Sequence, residues 1–263
     1  MKLRYIPLLS DLASARLRGI IPSRQLRKMG FEISVKHTEP ADWAILSKHG
    51  WGDEWAQGCK VIFDVCDDHF SDEHADHYLK WCRQADKVTC NSKAMAEIIK
   101  ARTGRDAIVI SDPYEAPETD PKCHAPVLWF GHAKNLTDLW PHLEGLPKLV
   151  ICTDCDHPQI LRWSPANIEL AFRKCGLTVL PTGEKLGKSA NRAIESIRRG
   201  VFPVCGHLPA YSELGLGADD IVGGVKEALD HPGHTIERVM DLQSAIRQPF
   251  SPETIARQWA ECF

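Results

Sequence analysis

Residues 184–206 read EKLGKSANRAIESIRRGVFPVCG, and the rest of the chain is organised around them. Ala190, Ala193, Ile194 and Ile197 recur at helical spacing and form one apolar face. Lys188, Asn191, Arg192, Glu195 and Arg199 fall on the opposite stripe. Ser189 is placed to cap the helix, because its hydroxyl can accept from a first-turn N–H that lacks an intrahelical acceptor. Gly200 suits the left-handed position that ends a helix. Val201–Cys205 then reads as a short buried strand. Pro203 has no N–H to give to a ladder and so favours a sheet edge. Lys188 and Arg192 beside first-turn N–H groups make an anion site fit for a phosphate. Glu195 lies one or two turns further in, within reach of hydroxyls attached to such a phosphate. The same residues also fit a solvated face on which Arg192, Glu195 and Arg199 pair at i, i+3 and i+4.

On either side of this stretch, apolar runs of strand length alternate with helical patterns along the chain. Lys2–Leu8, Glu32–Lys36, Trp43–Ser47, Val61–Cys66, Lys87–Cys90 and Ala107–Ile110 read as strands; Ser14–Gly30 reads as loop and helix, and Glu73–Gln84 and Lys93–Thr103 as helices. Asp112–Pro126, with four prolines and several acids, has the composition of a linker. A second alternating set follows: strands Val127–Phe130, Leu149–Thr153 and Leu177–Leu180, a helix over Asn167–Lys174, then the stretch quoted above. Asp219–Asp230, Thr235–Ile246 and Pro252–Cys262 close the chain as helices. Alternation of this kind predicts an α/β fold of two Rossmann-like domains with a cleft at the carboxyl ends of their sheets.

Composition narrows the class. A chain of 263 residues with 43% hydrophobic content can build real cores, and a net charge of −3 argues against a strongly basic nucleic-acid surface. Local clusters such as Arg24, Arg27 and Lys28 remain. The N-terminus lacks the apolar run of a signal peptide, and no stretch is long enough for a membrane span. The ten cysteines mostly lie in apolar strand or helix positions, for example Cys82, Cys90, Cys152, Cys175 and Cys205, which fits buried thiols in a cytoplasmic protein.

Several loops carry candidate chemistry. Arg16 and Arg18 follow the first strand, where a cleft-facing guanidinium could hold a diphosphate or an anionic acceptor; two arginines opening a helix are the simpler alternative. Asp67, Asp68 and His69 follow the strongest strand, where an acid or imidazole could orient or deprotonate an acceptor hydroxyl; Asp68 also suits a helix cap. Trp129-Phe130-Gly131-His132 ends a strand and opens a turn with Lys134, and the glycine lets backbone approach a ligand. Cys152-x2-Cys155-Asp156-His157 has one half of a zinc spacing, and His69, His74 and His77 are close in sequence, but no second such pair completes a structural site. No P-loop, dinucleotide fingerprint or nucleophile elbow is present.

The Glu184–Gly206 segment resembles the donor-binding core of retaining GT-B glycosyltransferases of group 1 (family 4-like). Glu195 matches the second glutamate of that family's two-glutamate motif. Gly187 stands where the first would be, and KSANR is similar to a compact, divergent bacterial and phage-like branch. The resemblance implies that Glu195 holds the ribose of a nucleotide sugar and that the loop of Gly131, His132 and Lys134 serves the donor diphosphate; position after the first strand adds Arg18, and the helix start adds Lys188, Ser189, Asn191 and Arg192, as donor-binding candidates. It implies that Trp163 lies where the nucleobase is gripped, that Arg16 is on the acceptor side, and that Asp67, Asp68 and His69 are the catalytic candidates. It further implies a metal-independent hexosyltransferase without cofactor, using a UDP-hexose or other nucleoside-diphosphate sugar. The expected domains are 1–118 for the acceptor, 119–248 for the donor, and a C-terminal helix over 249–263 that crosses back. The acceptor hydroxyl stays open: a glycan, protein, small molecule, or a hydroxymethylated base of phage-type DNA, the last requiring base flipping. A non-catalytic nucleotide- or carbohydrate-binding module is the other alternative.

Overall fold

The computed structural model describes residues 1–6, 12–48, 51–183 and 186–263, with Thr137 and Asp138 by backbone alone. Pro7 and Leu8, expected to continue the first strand, and Glu184 and Lys185 of the central stretch lie outside the described residues. The chain forms two compact units: Met1–Glu115 with Leu186–Ser189 and Gln248–Phe263, and Ala116–Lys185 with Ala190–Arg247.

In chain order, the first unit runs β1 (Lys2–Tyr5), α1 (Ile21–Lys28), β2 (Glu32–Ser34), β3 (Trp43–Ser47), β4 (Lys60–Val65), α2 (Ala75–Gln84), β5 (Lys87–Cys90), α3 (Lys93–Thr103) and β6 (Ile108–Val109). The second runs β7 (Val127–Phe130), α4 (Leu136–Leu139), β8 (Leu149–Thr153), β9 (Leu161–Arg162), α5 (Pro165–Lys174), β10 (Leu177–Leu180), α6 (Asn191–Arg198), β11 (Phe202–Cys205), α7 (Pro209–Ser212), α8 (Ile221–Asp230) and α9 (Pro232–Arg247). The closing helix α10 (Pro252–Ala260) returns to the first unit.

The first sheet has the order β2-β1-β3-β4-β5-β6, and all its strands are parallel. Its central strands are apolar on both faces because each face carries helices. The period of two sorts the side chains. Ala44, Leu46, Val61, Phe63 and Val65 face one cluster, with Tyr78 and Trp81 of α2 and Met95 and Ile99 of α3. Trp43, Ile45 and Ile62 face the other, with Leu26 of α1 and Ile255, Ala256 and Trp259 of α10. Helix α3 shows why its ends fall where they do. The Ser92 hydroxyl accepts from the Met95 N–H, and Gly104 closes the helix at φ 74°, a conformation that costs glycine little.

The second sheet has the order β11-β10-β7-β8-β9, again wholly parallel. The chain builds outward from β7 to β9, then returns to lay β10 on the other side of β7. That reversal is the switch point of a Rossmann-like sheet. Pro203 lies in β11, an edge strand, as its missing N–H requires. Helix α6 buries Ala193, Ile194 and Ile197, as the spacing predicts, and Gly200 follows at φ 66°.

The Asp112–Pro126 stretch has little regular structure yet is held on both units. In the first, the Tyr114 N–H donates to the Phe250 carbonyl. In the second, Glu118 pairs with Arg198 and Arg247, and Gln243 donates to the Thr119 carbonyl at 2.9 Å. All ten cysteines are free thiols, seven of them buried.

Candidate functional site

In a doubly wound sheet, ligands meet the carboxyl ends of strands at the switch point. In the second unit that point lies between β7 and β10, and the chain places four expected residues around it. Beyond β7 come Gly131 and His132, then a short 3-10 turn, Ala133–Asn135, which carries Lys134. Arg192, in the first turn of α6, reaches back so that its Nη1 donates to the Phe130 carbonyl at 3.2 Å. A Cβ at Gly131 would sit 3.2 Å from that Nη1 and 3.3 Å from the Trp129 ring, so glycine leaves the guanidinium its place. Tyr211, buried in α7, shares a side-chain hydrogen bond with Arg192; burial pushes its phenol up to about 12, and Arg192 opposes that rise. Sequence reasoning passed over Tyr211, whose helix is too short to show a period.

His132 has a partner that was not expected. Its Nδ1 lies 2.6 Å from Asp154 Oδ2, at the end of β8. The second carboxylate oxygen accepts from the Ala133 N–H at 2.6 Å and the Thr153 hydroxyl at 3.0 Å. Burial acts to raise the Asp154 pKa, but these hydrogen bonds, with His132, hold it below the ordinary carboxylate range. The Cys152–His157 run is thereby dispersed: Cys152 is buried, Asp156 pairs with Arg162 at 3.1 Å, and His157 accepts from the Gln159 N–H. Among the described residues no group of three or more His, Cys, Asp or Glu is placed to hold a metal ion.

Glu195 departs from the expected open stripe. Its side chain is 15% exposed, Oε1 accepts from Arg199 Nε at 2.8 Å, and Oε2 accepts from the Ala116 N–H at 3.3 Å. Arg199 also pairs with Glu169 and lies over the Phe172 ring, 4.8 Å from its centroid. Burial acts to lower the Arg199 pKa, but Glu195 and Glu169 overcome it and raise it. Trp163 sits before α5, its N–H on the Thr153 carbonyl at 2.5 Å, and Ser164 caps that helix.

Ser189 does not cap α6. The cap position belongs to Ala190, which offers no side-chain acceptor, and the Ser189 hydroxyl instead donates to Asp112 Oδ2 at 2.6 Å. Lys188 and Ser189 count with the first unit, while Asn191 opens α6 in the second. The cause is visible at Gly187: a Cβ there would meet Met95 at 2.6 Å, so the backbone lies tight against α3.

In the first unit, Arg18 is no loop ligand. It lies in a short π-helical segment, Ala15–Ile20, and is 2% exposed. Its guanidinium meets Asp64 through Nε at 3.0 Å and Nη2 at 2.6 Å, and Asp112 through Nη1 at 3.3 Å. Two buried carboxylates need a buried cation, and that need fixes Arg18 in the core. Burial raises the Asp112 pKa against the pull of Arg18. Arg16 forks onto Glu115 at 2.7 and 3.1 Å.

The turn after β4 gathers the remaining candidates. Asp67 pairs with Lys48, a residue in the left-handed region at φ 65°. Asp68 accepts from the Phe70 N–H at 3.1 Å in a local turn; it does not cap α2, whose cap position is His74 with no side-chain cap bond. His69 Nδ1 lies 2.7 Å from Asp72, and its ring packs 5.0 Å from Tyr78.

No protein-family model and no curated protein matches the chain. Solved structures do. A complex of a variant of TarM from S. aureus with fondaparinux, alpha-GlcNAc-glycerol and UDP matches 83% of this chain and 55% of its own, with TM-score 0.60 and 13% identity. The spinosyn forosaminyltransferase SpnP matches 100% and 99%, with TM-score 0.53 and 11% identity. An alpha1,3-fucosyltransferase matches 99% and 89%, with TM-score 0.56 and 9% identity. The chain thus spans about half the length of the TarM structure and nearly all of SpnP. The fold is the α/β fold of GT-B glycosyltransferases, two Rossmann-like units each built on a parallel sheet. Among the described residues no helix is long and apolar enough to cross a membrane.

Proposed function

We propose that the chain is a glycosyltransferase that moves a sugar from a nucleoside-diphosphate sugar to an acceptor hydroxyl. The observation that carries this reading is the grouping of Arg192, His132 and Lys134 beside Gly131 at the switch point of the second unit. Cationic and N–H donors there would stabilise the departing diphosphate, where charge develops in the transition state. Glu195 would accept from the ribose hydroxyls, and Trp163 would lie near the nucleobase. This makes the second unit the donor domain. The first would hold the acceptor, with Asp67, Asp68 and His69 orienting or deprotonating its hydroxyl and Arg16 holding an anionic group. Structures that share the fold carry UDP or GDP-fucose, which supports a nucleoside-diphosphate donor. A UDP-hexose, retention at the anomeric carbon and independence from metal are what the group 1 resemblance implies, and the free, mostly buried thiols support a cytoplasmic setting. Arg18 and Ser189 lose their candidacy for the diphosphate to the buried Asp64 and Asp112 pairing, and Lys188 belongs with them to the first unit.

Calorimetry with UDP, GDP and the other nucleoside diphosphates tests the proposal, together with release of free sugar from the matching nucleotide sugar without acceptor. Binding plus slow release is expected. Binding without release would leave a non-catalytic module, and failure of every nucleotide to bind would overturn the reading.

A further inference from the structure

Asp154 has no part in the function proposed above, although it lies inside the run that first suggested a metal. The geometry points to Asp154 as the positioning residue for His132: its carboxylate holds the imidazole with Nδ1 as donor, so that Nε2 is the nitrogen offered to the diphosphate of the donor nucleotide. This inference rests on the donor reading of the second unit.

The sheet itself brings the pair together. Strands β7 and β8 are parallel, with Phe130 opposite Cys152. The Gly131 N–H continues the ladder by donating to the Cys152 carbonyl at 3.3 Å. Two residues beyond the Phe130–Cys152 pair, the same register sets His132 opposite Asp154, on strands about 4.8 Å apart. One carboxylate oxygen is fixed by the Ala133 N–H and the Thr153 hydroxyl, so the other is aimed at Nδ1 by the backbone and not by chance packing. The hydrogen bonds that fix it also favour its ionised form. An ionised carboxylate only accepts, so the proton of the 2.6 Å contact belongs to Nδ1.

The ring is 52% exposed, so a ligand can reach it. The charged groups around it are Asp154, Lys134 two residues on, and Arg192, whose Nη1 lies beside Gly131. Two cations and a hydrogen-bonding imidazole, set against one carboxylate, suit an anion with more than one charge. A diphosphate has that chemistry; a neutral sugar does not.

Two measurements on the full chain test this. In the first, 15N shifts of labelled imidazoles report which nitrogen carries the proton. Wild-type His132, assigned by its loss in His132→Gln, should show Nδ1–H in its neutral form. Asp154→Ala should turn it to the Nε2–H form, and Asp154→Asn, whose amide oxygen still accepts, should restore it. In the second, calorimetry compares UDP with UMP, and GDP with GMP. Asp154→Ala and His132→Gln should each weaken diphosphate binding about tenfold, the worth of one hydrogen bond to a charged group, and leave the monophosphate within about twofold. The double variant should be no weaker than His132→Gln alone. A structural role for Asp154 predicts instead that diphosphate and monophosphate affinity fall together, or that the two losses add, and either result overturns the inference. So does a wild-type ring with its proton on Nε2. Wild-type protein that binds neither diphosphate refutes the donor reading and this inference with it; normal binding with unchanged variants refutes this inference alone.

Discussion

Glu195→Ala separates the donor reading from a purely structural one, and its cost can be worked from the contacts. The substitution removes the acceptor of Arg199 Nε at 2.8 Å and that of the Ala116 N–H at 3.3 Å, both in surroundings where the side chains are about 15% exposed. A hydrogen bond to a charged group contributes about 1.5–3 kcal/mol, and a buried N–H left without an acceptor costs about 1–3. Arg199 keeps Glu169 and the Phe172 ring, so the expected loss is roughly 2–4 kcal/mol and not the full sum. For a chain of this size that lowers Tm by roughly 5–10 °C. Glu195→Gln retains an acceptor oxygen and should lose about half as much. Nucleotide affinity should fall about 10- to 100-fold in the alanine variant, from the lost ribose contact. Thermal melting followed by circular dichroism and calorimetry with UDP or GDP read the two effects. A melting temperature within a degree of wild type would refute the described pairing. A lower Tm with undiminished nucleotide affinity would show that Glu195 only holds Arg199 in place.

Arg192→Ala should cut transfer by the folded enzyme at least a hundredfold and lower stability by about 2–4 kcal/mol, because the hydrogen bonds to the Phe130 carbonyl and to the buried Tyr211 phenol are both lost; undiminished transfer by the folded fraction would make it a structural residue. Asp67→Ala and Asp68→Ala should reduce transfer and spare nucleotide affinity, and normal transfer in both would leave that turn a purely structural one. Arg18→Met should destabilise by about 3–5 kcal/mol in urea titrations, since it strands buried Asp64 and Asp112; a small change would contradict the buried pairing. Arg247 first, with Arg198, holds the Glu118 carboxyl below its ordinary 4.5. The unfolded chain therefore binds more protons in that window, and the contribution of Glu118 is complete above 4.5 and lost as pH falls through its folded value. Urea midpoints of wild type and Glu118→Gln should accordingly converge in acid, and a difference that persists there would contradict the linkage.

The fold was largely legible because its signals are local. Apolar runs marked Trp43–Ser47 and Lys87–Cys90 to the residue, the spacing of Ala193, Ile194 and Ile197 gave the inner face of α6, and Pro203 placed its strand at an edge. What stayed hidden depends on register and on distant partners. Arg18 looks like any loop arginine until Asp64 and Asp112, 46 and 94 residues away, are folded beside it. Asp154 meets His132 only because β7 and β8 pair in one register, and its place in a cysteine-rich run pointed to metal chemistry instead. Ser189 has the residue type of a cap, but Gly187 seats the preceding backbone against α3 and turns the hydroxyl to Asp112. Short pieces such as β9 and α7 are set by packing and carry no period of their own.

The closing helix α10 gives the chain an unequal birth. Its Ile255, Ala256 and Trp259 complete the core beneath β1 and β3, more than two hundred residues upstream. During synthesis the second unit, nearly all of it one continuous run, emerges with its sheet and covering helices in hand. The first unit, begun earlier, leaves the ribosome with one side of its sheet still bare of α10 and must keep it so until Pro252–Ala260 has been made. The half translated first is thus the half finished last, and a nascent chain stalled before residue 252 would display the Leu3, Trp43 and Ile45 face to whatever chaperone or neighbour met it first.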